Sequence, residues 1–126
     1  MLKLYLAALV TALALDAVWL TLRSKYHMNL FKSVQGSDLA LRFIPAALVY
    51  VVISIAVIHF AVKPATSMNT AILSGLFIGF CMYGLYDLTN FATLKGWTLE
   101  MTVIDMAWGS FVCGSAAAVA YYVKRI

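Results

Sequence analysis

Apolar positions run almost unbroken through four stretches of the 126-residue chain, and polar positions gather in the intervals between them. A helix needs about 20 mostly apolar residues to cross a hydrocarbon core roughly 30 Å thick, because each residue advances about 1.5 Å. Residues 2–22, 43–62, 71–94 and 100–123 meet that requirement. The pattern predicts an all-α integral membrane protein: a four-transmembrane-helix up-down bundle that forms one domain over residues 1–126.

The residues between the stretches suit this division. Lys63-Pro64 stops the second span, since proline cannot continue a helix cheaply. Ser67 to Thr70 offer N-cap side chains for the third span, and Lys95-Gly96 offers a cation and a left-handed cap at its end. Thr98 is placed to cap the fourth, with Glu100 in the first turn where the helix dipole favours an anion. The third and fourth spans are therefore expected to form a tight antiparallel hairpin. Residues 1–22 also carry a charged start and an Ala12-Leu13-Ala14 triplet of the kind cleaved from secretory leaders, but the apolar run continues past the triplet and three more spans follow, so the segment is read as a helix.

Residues 23–42 form the longest interval. Tyr26, Leu30, Phe31 and Val34 are spaced to share one helical face, which fits either a short helix in the membrane interface or an irregular connection. Nothing in this interval is read as catalytic. Orientation stays open, because the first and third loops hold Arg23, Lys25, Lys32, Arg42 and Lys95 against Lys3, Lys63, Lys124 and Arg125 at the other face; the weight of cations beside the first span leans toward a cytoplasmic first loop.

Composition sharpens the picture. Hydrophobic residues make up 64% of the chain and charged residues 11%, too few to cover a water-soluble protein, and the net charge of +4 is spread around the spans rather than gathered into a nucleic-acid groove. The expected partners are the lipid bilayer and a second copy of the chain, with no nucleic acid.

Within the spans the informative residues are Asp16, Asp87 and Asp105. An ionised side chain at mid-membrane costs about 2.5 to 3.5 kcal/mol on insertion scales, so such residues usually face a bundle interior and mark function. Counted from the nearest span end, each lies roughly 7 to 11 Å into the same leaflet, on the side of the first and third loops. Gly75, Gly79, Tyr83, Tyr86, Asp87 and Asn90 share a stripe of the third span, while Asp105, Gly109, Cys113, Ala116 and Ala120 share one of the fourth; such small-residue stripes also suit a dimer face. Asp16-Ala17-Val18-Trp19 and Asp105-Met106-Ala107-Trp108 repeat an Asp-x-x-Trp spacing that places acid and indole on one face, where the indole N–H can donate to a carboxylate or sit at headgroup level.

The candidate binding or relay residues are thus Asp16, Asp87, Asn90, Asp105, Tyr86, Trp19 and Trp108. Three neighbouring carboxylates repel one another, and a proton, a cation or a basic side chain such as Arg23, Arg42 or Lys95 must relieve that repulsion. No cofactor is expected, except that Asp16, Asp87 and Asp105 would suit a divalent cation such as Mg²⁺, Ca²⁺ or Mn²⁺. His59 reads as an interfacial residue, Tyr50 as a helix-bridging hydroxyl, and Cys81 and Cys113 as small packing residues without CxxC spacing. Gly-rich phosphate loops, nucleophile elbows and HExxH motifs are absent.

The run Tyr86-Asp87-Leu88-Thr89-Asn90-Phe91-Ala92-Thr93-Leu94-Lys95-Gly96-Trp97, followed by Asp105-Met106-Ala107-Trp108-Gly109, resembles a bacterial family of membrane proteins known as domain of unknown function 2177. The likeness extends to Asp16-Ala17-Val18-Trp19 and to Ile44-Pro45-Ala46-Ala47-Leu48-Val49-Tyr50, nearly the whole chain. It implies a compact four-span bundle in the bacterial inner membrane and brings no activity with it. The residues themselves lead to three expectations: proton or cation handling or small-solute transport at the aspartates, a membrane enzyme acting on lipid, and a structural subunit whose aspartates only join helices.

Overall fold

The computed structural model describes residues 1–126 and contains only helices: α1 Leu2–Leu22, α2 Ser24–Gln35, α3 Phe43–Val57 continued by a π-helical turn Ile58–Val62, α4 Met68–Thr93 and α5 Leu99–Arg125. Four of them are long and apolar enough to cross a membrane, α3 counting together with its π turn.

Local chemistry sets the ends. Ser67 opens α4 through a reciprocal capping box: its hydroxyl accepts from the Thr70 N–H at 3.2 Å, and the Thr70 hydroxyl accepts from the Ser67 N–H at 3.0 Å. Because the cap is the first of the available hydroxyls, α4 begins three residues before the expected Ala71. Thr98 caps α5 by accepting from the Met101 N–H at 3.0 Å. Between these helices Gly96 adopts φ +97° in a turn closed from Trp97 N–H to Leu94 carbonyl at 3.2 Å, so its left-handed geometry serves the turn rather than the helix cap itself. The π turn ends where Lys63 N–H reaches back to the Ile58 carbonyl at 2.9 Å, and the Lys124 ammonium donates to the Val62 and Lys63 carbonyls at 3.2 and 3.3 Å.

The interval of residues 23–42 is not a simple loop. Arg23 ends α1 and starts α2, with its N–H on the Trp19 carbonyl and its own carbonyl accepting from His27 N–H at 3.0 Å. Gly36 then closes α2 in the left-handed region at φ +77°. The apolar face of α2 meets protein rather than lipid. Leu30 forms a small core with Trp97 and Met101, flanked by Tyr26, Phe31 and Val34, and Tyr26 hydroxyl bonds the Thr98 hydroxyl at 2.8 Å. Thus α2 sits on the end of the bundle, over the α4–α5 turn.

Small side chains hold the spans together. In lipid, helices gain little from hydrophobicity, so close van der Waals contact carries association. A Cβ on Gly75 would lie 2.6 Å from the Cys113 carbonyl oxygen, and one on Gly79 would run into the Gly109 carbonyl. The stripe offered to a second copy by the sequence is therefore occupied by α5 of the same chain. Ala8 and Ala12 of α1, Val57 and Ala61 of the third span and Ala116 and Ala120 of α5 extend this core toward the opposite face.

Gly79→Val is expected to lower the unfolding free energy in detergent by about 1–3 kcal/mol through overpacking. Phe77→Ala, on the exposed face of the same helix, should stay within about 0.5 kcal/mol of the parent chain. Equal losses, read by denaturant titration followed by tryptophan fluorescence, would contradict the close α4–α5 seam.

Candidate functional site

Asp16, Asp87 and Asp105 all sit on the loop-1 and loop-3 side of the bundle, but they divide into two centres. At the first, Asp16 of α1 accepts from Tyr50 hydroxyl of α3 at 2.8 Å and from Trp108 Nε1 of α5 at 2.7 Å, one donor to each carboxylate oxygen. Three helices are tied at one point. The Trp108 ring stacks on Trp19, with centroids 4.4 Å apart and planes 8° from parallel.

The acid and indole of each Asp-x-x-Trp motif are thus not partners within their own helix. Trp108 bonds the aspartate of the other motif, and Trp19 contributes its ring face while its Nε1 stays unpartnered. Sequence spacing places a side chain on a face; which neighbouring helix meets that face depends on the packing.

The second centre is the α4–α5 seam. Asp87 is fully buried, neither carboxylate oxygen has a hydrogen-bond partner, and the charged group beside it is the half-buried carboxyl of Asp105. Two ionised carboxylates offer only lone pairs, so a bond between these two needs a proton on one of them. Tyr83 also reaches this interior, its ring lying against Gly109 where a side chain would otherwise stand. Tyr86 does not: it is exposed and meets Trp97 edge-on at 5.9 Å. Asn90 is half-buried and makes no hydrogen bond to any of the aspartates.

His27 is the residue that sequence reasoning missed. It is 7% exposed, its Nδ1 has no partner, and its charged neighbours are Asp105 on α5, Arg23 at the α1–α2 break and Asp16 on α1. The signal was available: His27, Leu30, Phe31 and Val34 share the helical spacing of the apolar face of α2. Burial, opposed by Asp105 and aided by Arg23, holds the imidazole below its ordinary range.

Six buried side-chain polar atoms have no hydrogen-bond partner within the chain: Trp19 Nε1, Arg23 Nε, His27 Nδ1, both Asp87 oxygens and Trp97 Nε1. They all lie at this one end. Buried polar atoms are normally paired, so their concentration sets this end of the bundle apart from the rest. The metal reading fares differently. No three of the His, Cys, Asp and Glu side chains converge on one point, because Asp16 turns toward Tyr50 and Trp108 and leaves Asp87 and Asp105 as a pair. The donor set of Asp16, Asp87 and Asp105 expected for a divalent cation is therefore not assembled. At the opposite end, exposed His59 bonds the Tyr5 hydroxyl at 2.7 Å, while Cys81 faces outward and Cys113 packs in the α4–α5 seam.

Two measurements follow from this geometry. In a double-mutant cycle of Asp16→Ala with Tyr50→Phe, the coupling should be about 0.6–1.7 kcal/mol, the span seen for hydrogen bonds between membrane helices. Zero coupling would contradict the inter-helix bond. For His27, a folded-state value depressed below about 6.5 favours the neutral form, so its stabilising contribution is full above that value and is lost as pH falls through the lower folded value. Thermal stability of the parent chain should therefore drop more steeply from pH 7.5 to pH 5 than that of His27→Gln. Parallel slopes would count against a buried neutral imidazole.

No curated protein and no solved structure matches the chain. The family model described as Predicted membrane protein (DUF2177) matches residues 1–122, nearly the whole length, and includes every residue of both aspartate centres. With four apolar helices long enough to span and a match of that extent, the chain belongs to this family of integral membrane proteins.

Proposed function

We propose that this protein handles protons within the membrane, with Asp87 and Asp105 as the exchanging pair and His27 as the group that passes protons between them and the loop-side surface. The observation that supports the reading best is Asp87 itself, fully buried, without a donor on either oxygen and facing a second carboxyl. An isolated buried carboxylate is costly unless it is paired, and two together are tolerable when a proton or small cation sits between them. Histidine is the side chain whose ordinary range lies near neutrality, and His27 has Asp105 among its charged neighbours.

The structural reading, in which the aspartates only join helices, describes Asp16 well, since both of its oxygens accept a bond. It describes Asp87 poorly. A location in the bacterial inner membrane, implied by the family resemblance, would supply a standing proton gradient, and coupling to a small cationic solute would use the same carboxyl pair.

Reconstituted in vesicles with an entrapped pH indicator and the membrane potential clamped by valinomycin and potassium, the parent chain should dissipate an imposed pH gradient. Asp87→Asn should reduce the rate at least tenfold, and Asp87→Glu should retain part of it. Equal rates from the parent chain and Asp87→Asn, with both folded, would refute the proposal.

A further inference from the structure

On the outer side of the Asp16 centre, α1 and α5 border an open apolar groove of about 490 Å³ lined by Trp19, Val103, Ile104, Ala107, Trp108 and Phe111. Every lining group is hydrophobic, and the groove opens outward along the helices. The wall is stiff, because Trp108 is held from behind by Asp16 and from the side by stacked Trp19, with Phe111 tilted against it at 5.4 Å. Ala107, the smallest lining residue, leaves the space open.

The charged residues next to Trp19 bear on what the groove would hold. Arg23 stands at the α1–α2 break, where a helix emerging from the hydrocarbon reaches headgroup level. Its guanidinium is 5.2 Å from the centroid of Trp19, a lining residue, and 4.5 Å from that of Tyr26. Its one ionic contact is Glu100 at 3.9 Å, the outer limit of an ion pair, and its Nε is buried without a partner. A cation and an anion therefore stand side by side, loosely paired, with the cation over a ring that lines the apolar wall.

We infer that this groove binds a zwitterionic glycerophospholipid of the phosphatidylethanolamine type, one acyl chain lying against Trp19, Ala107 and Trp108, the phosphate on Arg23 and the ammonium toward Glu100. Arginine presents forked N–H donors that match phosphate oxygens, and the two rings beneath it restrict its motion. A phosphate alone would be repelled by Glu100; a headgroup carrying its own ammonium answers both charges. The groove lies on the outer side of Trp108, away from the Asp87–Asp105 seam, and a lipid is inferred there without reference to proton handling, although Arg23 is also among the charged neighbours of His27 and Asp105.

The test is native mass spectrometry of the detergent-purified full chain, titrated separately with phosphatidylethanolamine, phosphatidylglycerol and diacylglycerol bearing identical acyl chains. The parent chain should retain one phosphatidylethanolamine about tenfold or more tightly than diacylglycerol, the scale of a charge-assisted contact, with phosphatidylglycerol between them. Arg23→Gln should bring phosphatidylethanolamine down to the diacylglycerol level, Glu100→Gln should erase its advantage over phosphatidylglycerol, and Lys95→Gln, a cation at the same face, should change nothing. Ala107→Phe, which fills the groove without touching the headgroup, should weaken all three lipids, and it keeps the test decisive if Arg23→Gln fails to fold. Diacylglycerol retained as tightly as phosphatidylethanolamine, or a folded Arg23→Gln or Ala107→Phe that binds like the parent chain, would overturn the inference.

Discussion

Backbone contact between α4 and α5 sets the spacing on which the rest of the structure depends. Gly75 and Gly79 lie so close to Cys113 and Gly109 that no side chain fits between the two helices. Asp87 is about two turns along α4 from Gly79, and Asp105 is about one turn along α5 from Gly109. A seam that tight carries the next turns inward as well, so Asp87 is buried and meets Asp105 instead of an external donor. The same contact that stabilises the helix pair creates its most costly electrostatic feature, and a larger residue at either glycine would relax both together.

The two aspartate centres illustrate opposite solutions to one problem. Asp16 has two good donors, each from a different helix, and its burial becomes a tie among α1, α3 and α5. Asp87 has none. The difference is energetic, since an unpaired buried polar group is costly where a paired one is not. The placement of α2 concerns the same end of the bundle: it docks through Leu30, Phe31 and Val34 onto Trp97 and Met101, and in doing so brings a titratable imidazole among Asp16, Arg23 and Asp105.

Much of this was legible along the chain, for identifiable reasons. Span length follows from bilayer thickness, and the end signals at Ser67, Thr98 and Lys63-Pro64 are local, so the helices lie close to where hydropathy and capping place them. Depth is also local arithmetic, and the aspartates do lie toward one end of the bundle, on the side of the first and third loops. Rotation and partner choice are not local. The partner of Trp108 is Asp16 and not an aspartate of its own helix, the small-residue stripe of α4 faces α5 rather than a second copy, and Tyr86 points outward although it adjoins Asp87. His27 escaped attention because the face of α2 that buries it acquires its meaning only when Trp97 folds under it.

Trp108 links the two regions that the site comprises. Its N–H is committed to Asp16 on the inside of the bundle, while its ring lines the outer groove beneath Arg23. The stacked indole is thus shared between the outer wall and the Asp16 tie, with one contact on each side of the ring system. Trp19 is the second plate of that stack, and the Arg23 guanidinium lies over its ring. Between the outward-facing wall and Asp16 there is therefore only one stacked pair of rings and one hydrogen bond.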